Sequence, residues 1–127
     1  MRTTNDLKER TKQFALDIIR LCAALPRKQE FLVTSKQLMR CATSVGANYR
    51  SAQRAKSRAD FIAKLAIVEE EADECLYWLE LLEALGVASE MELRRLRDEA
   101  DQLVAIVVAS KKTARGNYER RTPSDER

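Results

Sequence analysis

The chain of 127 residues has no histidine, and only three glycines, three cysteines and two prolines. Without histidine it lacks the commonest general base near neutral pH and the commonest transition-metal ligand, so neither a Ser-His-Asp nor a Cys-His arrangement can form. A carboxylate di-iron bundle takes a Glu-x-x-His motif from each of two helices. Here Glu70, Asp73 and Glu74 have no matching set elsewhere and read as a solvated or interface-paired acidic face. The glycines do not make a phosphate-cradling loop, and the cysteines do not make a C-x-x-C pair. No uninterrupted apolar run approaches the roughly 20 residues that cross a bilayer. These absences predict a chain that is not an enzyme, with no metal, no cofactor, no small-molecule substrate and no membrane span.

Four stretches do carry a strong pattern, apolar residues repeating at alternating four- and three-residue steps. The first is Leu7, Thr11, Phe14, Ile18, Leu21 and Leu25, ended by Pro26, which lacks an amide and disfavours a helical residue before it. The second is Leu38, Ala42, Val45, Tyr49 and Ala52. The third is Phe61, Leu65, Val68, Ala72, Cys75, Leu79 and Leu82, with Gly86 placed for a left-handed cap. The fourth is Leu93, Leu96, Ala100, Leu103 and Val107. Asp6 with Glu9, Thr34 with Gln37, Ser57 with Asp60, and Ser89 with Glu92 all have capping-box spacing. The pattern predicts an all-α, antiparallel, up-and-down four-helix bundle.

The length suits one domain, with the bundle expected over 1–114. From 115 to 127 periodicity gives way to Gly116, Pro123 and many charges, and a flexible charged tail is expected. Cys22, Cys41 and Cys75 fall within predicted helices, which suits free thiols in a reducing cytoplasm, and Cys75 reads as a small apolar core filler. The polar stretch Met1 to Arg10 does not read as a signal peptide.

Two further features bear on partners. Leu16, Ile19 and Ala23 project opposite the core stripe of helix one. Ile67, Trp78, Leu81 and Leu85 share a side face of helix three, and Ile106 lies on the outward side of helix four. A small bundle cannot bury both faces of such helices, so Leu16, Ile19, Ile67, Trp78, Leu81 and Leu85 are candidate oligomer-interface residues; scattered surface apolars are the alternative. From Lys36 to Arg58 every charged residue is basic. Lys36, Arg40, Arg50, Arg54, Lys56 and Arg58 are candidate nucleic-acid-binding residues, because phosphate contacts by such cations release counterions. Helix three carries the opposite excess, so the same stripe could instead meet an acidic face of a neighbouring helix or subunit.

The run Ser44-Val45-Gly46-Ala47-Asn48-Tyr49-Arg50-Ser51-Ala52, then Arg54-Ala55, Ser57 and Asp60-Phe61-Ile62-Ala63-Lys64-Leu65, resembles the four-helix-bundle proteins named for 23S rRNA intervening sequences. Glu71-Ala72-Asp73-Glu74 and Tyr77-Trp78-Leu79-Glu80-Leu81-Leu82 continue the likeness, which covers about Asp6 to Ala114. Many members have Asn-Ile-Ala-Glu-Gly where this chain has Asn48-Tyr49-Arg50-Ser51-Ala52, an exchange that removes an acid and adds Arg50. The resemblance implies a bacterial, cytoplasmic, ring-like homopentamer with a connection to RNA, because the genes of some members lie inside inserts in large-subunit ribosomal RNA genes. It extends to the accessory variability determinant of diversity-generating retroelements, a basic pentamer that partners a reverse transcriptase and nucleic acid. Two function classes follow. One is a nucleic-acid-associated accessory ring. The other is a structural adaptor ring that recruits a reverse transcriptase or another protein partner.

Overall fold

The computed structural model describes residues 4–121, with side chains described from 7 to 116. Four helices follow in order: α1 Thr4–Ala23, α2 Gln29–Gln53, α3 Arg58–Leu85 and α4 Glu90–Arg121. No strand occurs among the described residues. α1 packs on α2 and α4, α3 packs on α2 and α4, and the diagonal pairs make no close backbone approach. The helices therefore stand at the corners of a square, and α1–α4 is the thinnest of its four seams.

Neighbouring helices run antiparallel, as their cross-contacts show. Thr11 on α1 lies beside Gly46 on α2, and Cys22 bonds to the Ser35 carbonyl. Glu69 and Glu83 of α3 pair with Lys111 and Arg97 of α4, so one number rises as the other falls. Arg10 and Asp17 of α1 pair with Glu99 and Arg95 of α4 in the same inverse order.

The four stripes form the core. Every residue assigned to them is buried except Phe61, which is half-buried and packs against the cluster. Cys22 and Cys41 join the core from off the stripe positions. The Cys75 thiol lies 3.1 Å from the Cys41 sulfur across the α2–α3 seam. That contact and burial hold the Cys75 pKa well above its ordinary value. Ile106, expected to face outward, is also partly buried against the core.

Two of the expected helix starts form and one does not. The Ser57 hydroxyl accepts from the Asp60 amide at 3.0 Å, and the Asp60 carboxylate accepts in return from the Lys56 amide at 3.2 Å. Ser89 accepts from the Glu92 amide at 3.3 Å. Gly86 takes the left-handed conformation, φ 65°, and its amide donates to the Leu82 and Glu83 carbonyls. Thr34, in contrast, lies inside α2, which begins at Gln29. Its hydroxyl donates back to the Glu30 carbonyl at 3.0 Å, the other local bond open to a threonine hydroxyl. α1 is already helical at Thr4, ahead of Asp6, whose side chain lies outside the described set. α4 continues to Arg121, so 115–121, expected as tail, is helical; 122–127 lie outside the described residues.

Candidate nucleic-acid interface

α1 and α2 approach closely where Gly46 faces the backbone of Thr11. A Cβ on Gly46 would stand 3.5 Å from the Thr11 carbonyl oxygen, an ordinary contact, so the glycine deepens the seam without being required by a clash. Above it runs a groove of about 420 Å³ with Thr11, Ala15, Gly46 and Ala47 among its lining residues. Lys8 and Lys12 of α1 and Arg50 and Arg54 of α2 line it too. Among the described residues lining it, none is acidic. None of the four cations makes an ion pair among the described residues.

The sequence stripe on α2 is thus divided by its neighbours. Arg50 and Arg54 face the α1–α2 groove and are exposed. Arg40 turns toward α3, donating to Glu71 at 3.1 Å and to Glu74. Lys36 is exposed but does not line the groove, and Lys56 is exposed in the α2–α3 connection. Arg58 starts α3 and is half-buried in a separate apolar groove with Phe61 and Ile106. Lys8 and Lys12 were not among the sequence candidates. Their only signal was a four-residue step on α1 that gained meaning when α2 was placed beside it. The antiparallel order also brings the start of α1, the end of α2 and the end of α4 to one end of the bundle, adding exposed Lys112 and Arg115 there.

The Arg40 clamp has its own chemistry. Glu74 accepts from the Trp78 indole at 3.0 Å and from Arg40, and these two bonds hold its carboxyl below the ordinary glutamate range. A lowered folded-state pKa contributes stability that is present above the unfolded value of about 4.3 and is lost as pH falls through the folded value. Glu74→Gln should therefore flatten the acid limb of a stability–pH curve measured by urea unfolding between pH 3 and 6, by a modest amount because the pair is partly solvated. An acid limb identical to the parent's would show that Glu74 does not couple to folding.

The candidate interface residues are placed on two diagonal helices. Leu16 and Ile19 on α1 are 37% and 41% exposed, and Ile67 and Leu85 on α3 are 40% and 55% exposed. Trp78 and Leu81 are half-buried, Trp78 meeting Tyr77 edge to face at 5.1 Å between centroids. Leu32, Val33, Tyr77 and Met91 are also exposed and were not singled out in the sequence. Asn48 donates to the Ser44 carbonyl and hydroxyl at 2.9 and 2.8 Å, bonding within α2 and not across helices. No group of three or more cysteine, aspartate or glutamate side chains able to hold a metal ion occurs among the described residues. No helix among them is long and apolar enough to cross a membrane.

Fold and groove together define a four-helix bundle with a basic seam that no acid lines among the described residues. Residues 3–109 match the 23S rRNA-intervening sequence protein family, and the chain belongs to that family. A solved structure, that of a protein with unknown function from the S23 ribosomal protein family of Bacteroides thetaiotaomicron VPI-5482, is similar to it. The two are 37% identical with a TM-score of 0.80, over 86% of this chain and 97% of that one. No protein with a curated description matches the chain.

Proposed function

We propose that this chain is a non-enzymatic, nucleic-acid-associated accessory protein of the cytoplasm that works as a homo-oligomeric ring, with RNA as the favoured partner. The observation that carries this reading is the α1–α2 groove, where Lys8, Lys12, Arg50 and Arg54 are left without acidic partners among the described residues. Arg40 on the same helix as Arg50 and Arg54 is taken up by Glu71 and Glu74, whereas these four cations converge on one groove. A cluster kept clear of acids is suited to phosphate. The ring is supported by two unlike exposed apolar patches on diagonal helices. Joining the α1 patch of one copy to the α3 patch of the next is a heterologous contact, which builds a ring when the rotation between copies closes. Five copies is the number the family resemblance implies. Repeating a weak groove around a ring raises avidity wherever one polymer spans several copies.

The test is a titration of the protein with a structured RNA and a DNA duplex at several salt concentrations, repeated for Arg50→Ala/Arg54→Ala and for Arg40→Ala. Binding that weakens steeply with salt, is lost in the double variant and persists in Arg40→Ala, all at unchanged particle mass, is the expected result. A double variant that breaks into smaller particles, or a parent that binds neither polymer at low salt, would favour the second reading. That reading is an adaptor ring in which these cations meet acidic faces of neighbouring subunits or of a protein partner. The acidic residues exposed on α3, Glu70, Asp73 and Glu80, make it a specific alternative.

A further inference from the structure

We infer that the α1–α2 groove takes the phosphate backbone of duplex nucleic acid and does not read its bases. This rests on the nucleic-acid reading above and specifies its ligand. The groove is a concavity between two packed helices, whereas reading base edges in a major groove needs a convex element that enters it. Two of its three hydroxyls are tied back to their own helices. Thr11 donates to the Lys8 carbonyl at 3.1 Å, and Thr43 to the Met39 and Arg40 carbonyls at 2.8 and 3.1 Å. The groups left to meet a ligand are the cations of Lys8, Lys12, Arg50 and Arg54 and the exposed Ser51 hydroxyl, with the Leu16 side chain beside them. No asparagine, glutamine or carboxylate lines the groove among the described residues, so it offers no side-chain amide or acid for adenine or cytosine edges.

Single strands are a poorer fit for a second reason. Proteins that hold them supply aromatic rings on which successive bases stack, and no aromatic side chain lines the groove among the described residues. Spacing favours a continuous phosphate track. Arg50 and Arg54, like Lys8 and Lys12, are one helical turn apart, an advance of about 6 Å. Successive charges along one strand of a duplex advance about 3.4 Å along its axis, so each pair of cations matches every second phosphate, about 6.8 Å apart. Four cations seated on such a track predict a salt slope, d log K/d log [salt], of about −3.6 per bound protomer on duplex DNA, against about −2.8 on a single strand. The duplex value corresponds to a loss of about 150-fold between 50 and 200 mM salt.

The experiment is fluorescence anisotropy with the full chain, using several 20-base-pair DNA duplexes of permuted sequence and their separated strands, across 50 to 200 mM salt. Expected are affinities within about threefold among the duplexes, weaker binding of the strands, and a slope near −3.6 that falls by about 1.8 in Arg50→Ala/Arg54→Ala. A preference above tenfold for one duplex sequence would overturn the inference, as would tighter binding of single strands. In either case, loss of that binding in the double variant would leave the nucleic-acid reading standing. Absence of binding to every one of these polymers, and to a structured RNA at 50 mM salt, would remove the nucleic-acid reading itself.

Discussion

Mixing two variants that are each monomeric should produce a particle of just two chains. The first, Leu16→Glu/Ile19→Glu, spoils the α1 patch and keeps the α3 patch; the second, Ile67→Glu/Leu85→Glu, does the reverse. All four side chains are exposed in the single chain, so the fold should lose little, surface changes of this kind being worth about 0.5 kcal/mol or less each. In an assembly each carboxylate would be forced into an apolar contact. A central interface residue lost in this way costs about 2 kcal/mol or more, roughly 30-fold in affinity, so two per patch should abolish association at micromolar concentration. Each variant alone should then run at the 14.5 kDa of one chain by light scattering. Mixed, the intact α3 patch of one meets the intact α1 patch of the other, and nothing remains to extend the chain further. Isologous pairing would behave differently, because one variant would keep the full assembly. Full-sized particles from either variant would show that its patch is not a subunit interface.

Phe14→Ala should be the most damaging conservative truncation in α1, costing about 3–5 kcal/mol. Phe14 is 1% exposed and is among the largest fully buried side chains. It sits at the middle of α1's stripe, inside the core shared by all four helices. Typical domains hold only about 5–15 kcal/mol in total, so the loss is a large share. The thin seam between α1 and α4 localises the consequence. Across that seam lie the partly exposed Arg10–Glu99 and Arg95–Asp17 ion pairs, which are modest supports. The urea midpoint should fall sharply while Lys12→Ala, two residues away and exposed, leaves it nearly unchanged. Amide exchange should accelerate first in α1. A loss below about 1 kcal/mol would mean that α1 is not docked through this side chain.

The core was legible along the chain because a helix that buries one face must repeat apolar residues near its 3.6-residue turn, whatever lies opposite. That requirement identified Phe14, Val45, Leu65 and Leu103 without reference to any partner. Gly86 was legible for a local reason as well, since glycine adopts positive φ without a Cβ penalty. Local signals failed where one group has two local uses. Thr34 has the spacing of a cap, but its hydroxyl serves equally well bonded to the carbonyl four residues back, and α2 had already begun.

The basic surface was legible only as a list of cations on one helix. Arg40 and Arg50 share a stripe, a residue type and a helix, yet one is clamped by Glu71 and Glu74 while the other lines a groove with no acid among the described residues. Nothing along α2 distinguishes them. Lys8 and Lys12 lie some forty residues away and became part of the same surface only through the antiparallel packing of α1. Periodicity is a property of one helix and reports which face is buried. Which charges meet, and which remain free for a ligand, depends on distances between helices, and those are set by packing in three dimensions.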